Sequence, residues 1–361
     1  MPFVSSLPAR EVAQPSAKIT RPSRIAGQVV IVGGLPGCGK TMMTPIVGSL
    51  ARVELQKFNY VLEHVCALRL LHSLEDEAAT ALIRLVTDLD LYNLAMSREV
   101  NLRPTDLSSI FKNPGTWRYL RRLVQPGDAA AAERIRQERL ILHLTIHNPL
   151  VLCPPLFTAL GEAVRFVEVV RHPLHMLRAW RFYIERYGTD PRDFTLWIDF
   201  DGRSVPYFAQ GWEEQYLQAN LMDRSIYTIA HLMRTGRQHL EQLSDAQRGQ
   251  VLLVPFERFV LEPWPYLAQL EAFLGTHRTP QTRRVLKQQR VPRARVTAGV
   301  ALDVCRQNGW LPPEQDASER RELEKRRAYA AQEASPEALD ALDRLCEEYA
   351  TTHLSGLEGW T

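Results

Sequence analysis

Gly34-Leu35-Pro36-Gly37-Cys38-Gly39-Lys40-Thr41 matches the pattern G-x-x-x-x-G-K-[ST] in full. Glycines at these spacings let backbone N–H groups turn inward around an anion. A helix opening at Lys40 adds the positive end of its dipole, and Lys40 itself supplies a mobile charge. Gly34, Gly37, Cys38, Gly39, Lys40 and Thr41 are therefore expected to cradle a phosphate group. Lys40 is expected to reach the transferred group and stabilise charge on the bridging oxygen. Two other polar residues end apolar runs: His147 follows residues 140–146, and Arg171 follows Val164–Val170. If those runs are parallel strands, both residues stand at the sheet edge where ligands bind.

A metal-dependent nucleotide hydrolase or kinase normally carries an acid at a neighbouring strand end to hold Mg²⁺. Here the strand ends offer His147 and Arg171 instead. Asp199 and Asp201 follow an apolar run, but Asp201-Gly202 is more simply a hairpin turn. No metal site is expected.

The elements that must position these residues are legible from periodicity. Residues 28–32 form a β-branched run ending in Gly33-Gly34, a buried strand delivering the chain into a turn. A short strand is expected at 58–62 and helix from 63 to 96, then short helices broken by Pro104, Pro114 and Pro126-Gly127 through residue 138. Strands at 140–146, 164–170 and 251–254 alternate with helices at 174–187, 209–243 and 265–274, the last stopping at Gly275. Residues 194–200 and 205–208 are expected to pair as a hairpin. The predicted fold is α/β, a mostly parallel sheet flanked by helices, with a helical insertion at 64–138. The expected division is a flexible leader over 1–27, the main domain over 28–300 and a helical C-terminal extension over 301–361, split near Ser335-Pro336.

Composition excludes several classes. With 45% hydrophobic and 24% charged residues the chain is of ordinary globular type, and no apolar run is long enough to span a bilayer. Five cysteines, odd in number and without a C-x-x-C pair, argue against a disulfide framework or zinc site and fit a reducing cytoplasm. A net charge of +3 gives no footprint for nucleic acid. The cluster Arg283, Arg284, Lys287, Arg290, Arg293 and Arg295 is either a solvated basic face or an anion site.

Taken together, these segments resemble the PAPS-dependent sulfotransferase superfamily, whose P-loop-kinase-like fold moves a sulfuryl group from 3′-phosphoadenylyl sulfate (PAPS) to a hydroxyl or amine. The glycine loop lies where that family holds the 5′-phosphosulfate. The segment 166–173, ending Arg171-His172-Pro173, is similar to its 3′-phosphate turn, and Val254-Pro255-Phe256-Glu257-Arg258-Phe259 with Glu262-Pro263 and Phe273-Leu274-Gly275 to its Y/F-E-D-L…P…FLG signature. Thr145-Ile146-His147-Asn148-Pro149 is similar to the K-T-H-x-P segment that supplies a general base. The resemblance implies His147 as base, with Glu63 second, since glycan and tyrosyl-protein members use a glutamate in a comparable place. Without it, His147 is as readily a strand cap and Glu63 a first-turn acid complementing a helix dipole.

The sequence also departs from that pattern. Glycine stands where the family's catalytic Lys or Arg is usual, and the cation comes later, as in kinases. Ala179 replaces a serine, so Arg178 or Arg181 would make the second 3′-phosphate contact, and the R-K-G segment has only the basic stretch at 287–295 as a substitute. The implied donor is PAPS, leaving 3′,5′-ADP, and the acceptor a glycan or small-molecule hydroxyl. An ATP-dependent small-molecule or sugar kinase using Mg²⁺ is the alternative, and a non-catalytic nucleotide-binding module the third.

Overall fold

The computed structural model describes residues 18–298 and 318–357, apart from Leu107 and Arg192. The first part of the expected leader, Cys305 and the start of the C-terminal extension lie outside them. Five parallel strands, β1 (Val29–Gly33), β2 (Lys57–Phe58), β3 (Leu142–Thr145), β4 (Val164–Val170) and β7 (Val251–Pro255), form one sheet in the order β2-β3-β1-β4-β7. A separate antiparallel hairpin joins β5 (Trp197–Phe200) to β6 (Arg203–Pro206). The expected α/β fold and its hairpin are therefore present.

The alternation of each strand explains the layers. Val30 and Val32 of β1 and Val167 and Val169 of β4 enter one apolar cluster; Val29, Ile31, Val164 and Phe166 enter the other. Strands with both faces buried are mostly apolar, as these are apart from Arg165 and Glu168 of β4. The second face is covered by α2 (Tyr60–Leu70), α3 (Asp76–Ala95) and α6 (Cys153–Leu160), preceded by the insertion helices α4 (Thr116–Arg122) and α5 (Ala129–Glu138). Covering the first face are α1 (Lys40–Val47), α7 (Pro173–Arg186) and α9 (Leu221–Gln242), with α8 (Glu213–Gln218) and α10 (Asp245–Arg248) flanking α9. After β7 follow α11 (Phe256–Leu261), α12 (Pro263–Leu274) and α13 (Pro280–Gln288).

Two expectations change locally. The second strand is only Lys57–Phe58, because Asn59 ends it by capping α2: Leu62 N donates to Asn59 Oδ1 at 2.8 Å, and Asn59 Nδ2 donates to Asp90 at 2.5 Å. The expected helix over 63–96 is two helices, α2 and α3, separated by a turn at 71–75. Within the insertion, buried Arg122 grips Glu54 through both oxygens (2.7 and 3.1 Å), and Tyr119 adds a hydroxyl at 2.8 Å, so α4 is fastened to the chain entering β2.

The tail is α14 (Glu319–Ala330) and α15 (Pro336–Tyr349), the latter capped by Ser335, whose hydroxyl accepts from Ala338 N. Ala330, Ala338 and Leu342 belong to the first core cluster. Arg181 pairs with Glu333 at 3.1 Å, and Tyr349 Oη donates to Glu257 Oε2 at 2.6 Å. At the other end, Ile25 N and Ala26 N both donate to Asp88 of α3, which also pairs with Arg21.

Because Glu257 is fully buried, deleting the Tyr349 hydroxyl leaves one carboxylate oxygen without its donor. Tyr349→Phe should cost about 1–3 kcal/mol, seen as a lower urea midpoint at unchanged slope. Unchanged stability would mean that this bond does not anchor the tail.

Candidate active site

The glycine loop leaves β1 and closes onto α1, with Cys38 N donating to Leu35 O at 3.0 Å across its turn. Two of its glycines are required by space as well as by conformation. Gly34 has φ 137°, and a Cβ there would lie 2.3 Å from Val169 O; Gly39 has φ 103°, and a Cβ would lie 2.3 Å from the Phe256 ring. Any side chain would push the loop off β4 and α11. Opposite Gly37, Ala179 lies close, 3.3 Å from where a Cβ would stand. α7 and the loop meet there through small residues. Lys40 is buried, its Nζ donating to Gly34 O at 3.2 Å, and burial holds its pKa below the usual lysine value. Thr41 follows in the first turn of α1, partly exposed.

Arg171, at the end of β4, turns toward this loop. Its Nη1 donates to Gly37 O at 2.9 Å, and its guanidinium lies 4.1 Å from the centre of the Phe256 ring. Arg293 lies 5.5 Å from the centre of the same ring. Burial pushes the Arg171 guanidinium down, and burial with the neighbouring Arg171 charge lowers Arg293 to about 10. Of the basic stretch, Arg283, Arg284, Lys287 and Arg290 stay exposed while Arg293 turns inward. Arg178 lies over the Tyr329 ring at 4.4 Å and Arg181 pairs with Glu333, so both engage the tail helices. No second contact to the loop from Arg178 is seen among the described residues.

Beside β1, the turn after β3 packs against Gly33, where a Cβ would meet the Pro149 ring and Ile146 O. That turn carries His147, and the structure brings it together with Glu63. Glu63 Oε2 accepts from His147 N at 2.9 Å and lies 3.1 Å from His147 Nδ1. Burial alone raises the Glu63 carboxyl, but His147 and, less strongly, Lys40 outweigh it and hold it below its ordinary value. An ionised carboxylate only accepts, so Nδ1 carries the proton and Nε2 is the free base nitrogen. The two residues expected as rivals form one unit. Tyr60 flanks it, with ring centres 6.0 Å from His147 and 5.4 Å from Phe194.

One group escaped the sequence. Glu168 continues the row of Val164 and Phe166 and stands opposite Gly33 in register. It is 5% exposed, and its Oε2 has no hydrogen-bond partner among the described residues. Burial raises it from 4.5 to about 8, with Lys40 only partly opposing. The available signal was an acid inside a central strand whose other charged residue is Arg165. Among the described residues no group of three His, Cys, Asp or Glu side chains could hold a metal ion, and no helix is long and apolar enough to cross a membrane.

No family model matches the chain, and no curated protein matches it in sequence. Among solved structures, it is similar to the sulfotransferase domain of the Synechococcus PCC 7002 olefin synthase, 14% identical, covering 91% of this chain and 97% of that one at TM-score 0.41. Similar too are sulfotransferase STF9 from Mycobacterium avium (12% identical, 93% and 79% covered, TM-score 0.42) and mouse sulfotransferase SULT7A1 complexed with PAP (11%, 92% and 87%, TM-score 0.34). At these values the functional argument rests on the chain's own residues.

A carboxyl whose folded pKa is raised keeps its proton where the unfolded chain has lost it, so stability falls as pH rises from about 4.5 through about 8. Glu168→Gln removes that loss. Its melting temperature should exceed the wild type's by a few degrees at pH 8.5, and the gap should close toward pH 5. A gap independent of pH would show that Glu168 is ionised throughout.

Proposed function

We propose that the chain is a sulfotransferase that moves a sulfuryl group from PAPS to a hydroxyl, on a glycan or small molecule. The carrying observation is the Glu63–His147 pair beside the glycine loop, which presents an oriented base nitrogen next to an anion cradle. The residues fit such a donor: loop amides and Lys40 for its phosphosulfate, Arg171 with Arg293 on Phe256 for its second phosphate. When bound, PAPS supplies an activated sulfuryl group and leaves as 3′,5′-ADP.

The acceptor O–H gives its proton to His147 Nε2 as its oxygen forms the bond to sulfur, while the bond from sulfur to the bridging phosphate oxygen breaks. Glu63 keeps the imidazole in the required tautomer and stabilises the imidazolium. Lys40 neutralises charge on the departing oxygen. The exposed rings of Tyr60, beside His147, and of Phe194, beside Tyr60, support an acceptor that stacks on aromatic faces, such as a sugar ring.

Glu168 favours the second reading, an ATP-dependent kinase, because it places an acid near Lys40. It stands mid-strand and largely protonated at neutral pH, a poor cation ligand until a metal displaces the proton. Thermal stabilisation by 3′,5′-ADP without metal supports sulfuryl transfer; stabilisation only by ADP with Mg²⁺ supports the kinase.

Four substitutions test the assignment. His147→Ala should lower kcat roughly 10²- to 10⁴-fold. Glu63→Gln should lower it about 10- to 100-fold, with the double variant little worse than His147→Ala alone. If Glu63→Gln turns over at the wild-type rate, the pair is not the catalytic base. Arg171→Ala should weaken 3′,5′-ADP at least tenfold while barely changing 5′-AMP; equal losses would remove the second phosphate from this site. Lys40→Ala should reduce kcat more than donor affinity, and a wild-type rate would exclude Lys40 from the transfer step.

A further inference from the structure

Helix α14 packs against α7, and its inward face reads Glu319, Glu322, Arg326 and Ala330, spaced at three and four residues. The helix is held at its two ends. Glu319 Oε1 accepts from Thr297 N at 3.1 Å, shortly after Arg293 in the chain, and Ala330 enters the first core cluster. Between those ends the join is not sealed: Arg178 of α7 with Lys325 and Arg326 of α14 line a cavity of about 70 Å³ whose one acid is Glu322. Arg326 Nη2 lies 2.7 Å from Glu322 Oε1, which leaves cation against cation across the rest of the join.

Arg326 also reaches the neighbourhood of Arg171. Burial leads the downward shifts of Arg171, His172 and His175, and the charge of Arg326 adds to each. The two guanidiniums share a second feature. Arg171 uses Nη1 on Gly37 O and Arg326 uses Nη2 on Glu322, yet the Nε of each is buried without a hydrogen-bond partner among the described residues. Buried donors in folded proteins are nearly always satisfied, so these two N–H groups, on separate elements, are open to an acceptor from outside the chain. A phosphate group suits both, because it carries the opposite charge and has oxygens enough to accept from two guanidiniums.

We propose that Arg326 joins Arg171 in holding the second phosphate of the nucleotide, so that the tail helix is part of the donor site and donor binding draws α14 onto α7. This rests on the sulfuryl-transfer reading, which puts a second phosphate at Arg171. Without an anion, the charges of Arg171 and Arg178 oppose that of Arg326 and hold the middle of α14 off the domain. A phosphate among them turns the repulsion into attraction. A nucleotide with only a 5′-phosphate fills the glycine loop and gives α14 nothing to close on.

Calorimetric affinity and hydrogen exchange on the full chain test this together. In the wild type, saturating 3′,5′-ADP should slow amide exchange over residues 319–330 more than saturating 5′-AMP does. Arg326→Gln should weaken 3′,5′-ADP about tenfold while barely changing 5′-AMP. Glu322→Gln removes the ion pair but keeps the guanidinium, so its preference for 3′,5′-ADP should match or exceed the wild type's. A loss in Glu322→Gln equal to that in Arg326→Gln would assign the effect to the ion pair's support of the helix and overturn the proposal. An unchanged preference in Arg326→Gln would overturn it too, as would equal protection of α14 by both nucleotides, a comparison that needs no variant to fold. Those outcomes leave the donor reading standing, whereas a wild type that binds the two nucleotides equally would remove the second phosphate itself and the donor reading with it.

Discussion

The candidate site depends on one close approach, that of the glycine loop to the Phe256 ring. Gly39 lies so near the ring edge that even a methyl group would overlap it. Arg171 lies over the same ring and donates to the loop at Gly37, with Arg293 also near that ring. One aromatic side chain therefore sets the height of the loop above the sheet and the position of two guanidiniums beside it. The next residue, Glu257, accepts from His172 N at 3.0 Å and from the Tyr349 hydroxyl, so the turn after β4 and the tail helix are gauged from the same point.

This arrangement gathers more positive than negative charge around the loop. Lys40, Arg171, Arg293 and Arg326 are all shifted toward the neutral form, with burial the leading cause in each. Arg326 has Glu322 at 2.7 Å, but the nearby acids Glu168 and Glu257 are themselves raised by burial and so compensate poorly. Buried charges that lack full compensation cost stability, and an arriving dianion would relieve that cost where a neutral ligand would not. The electrostatics thus favour an anionic ligand without reference to any particular sequence pattern.

The sheet was readable because its central strands are buried on both faces and so appear as predominantly apolar runs; Val164–Val170 begins and ends where the run does. The hairpin was marked by Asp201-Gly202, and the end of α12 by Gly275, which adopts φ 59°. What depended on distant partners was not readable. The start of α2 is set by Asn59 through Asp90, and Glu63 meets His147 across 84 positions of sequence. Arg178 and Arg181 looked available for an anion because nothing local shows that the tail folds back over α7. Glu168 carries no positional mark, since it stands inside its strand and not at the strand end where ligand-holding residues gather.

The geometry also joins two groups that the sequence left as alternatives. Glu63 has a 9% exposed side chain and lies behind His147, whose ring is 30% exposed. A carboxylate held below its ordinary pKa is a weakened base, since the same contacts that favour its charge oppose its taking a proton. Those contacts come chiefly from His147, so the carboxylate's cost in basicity is the imidazole's gain in orientation. The capped first turn of α2 fixes Glu63 and the turn packed on Gly33 fixes His147, so neither half of the pair relies on a mobile loop. Under the proposed sulfuryl transfer, the acid acts on an acceptor only through the imidazole, and a proton leaving that acceptor meets nitrogen before oxygen.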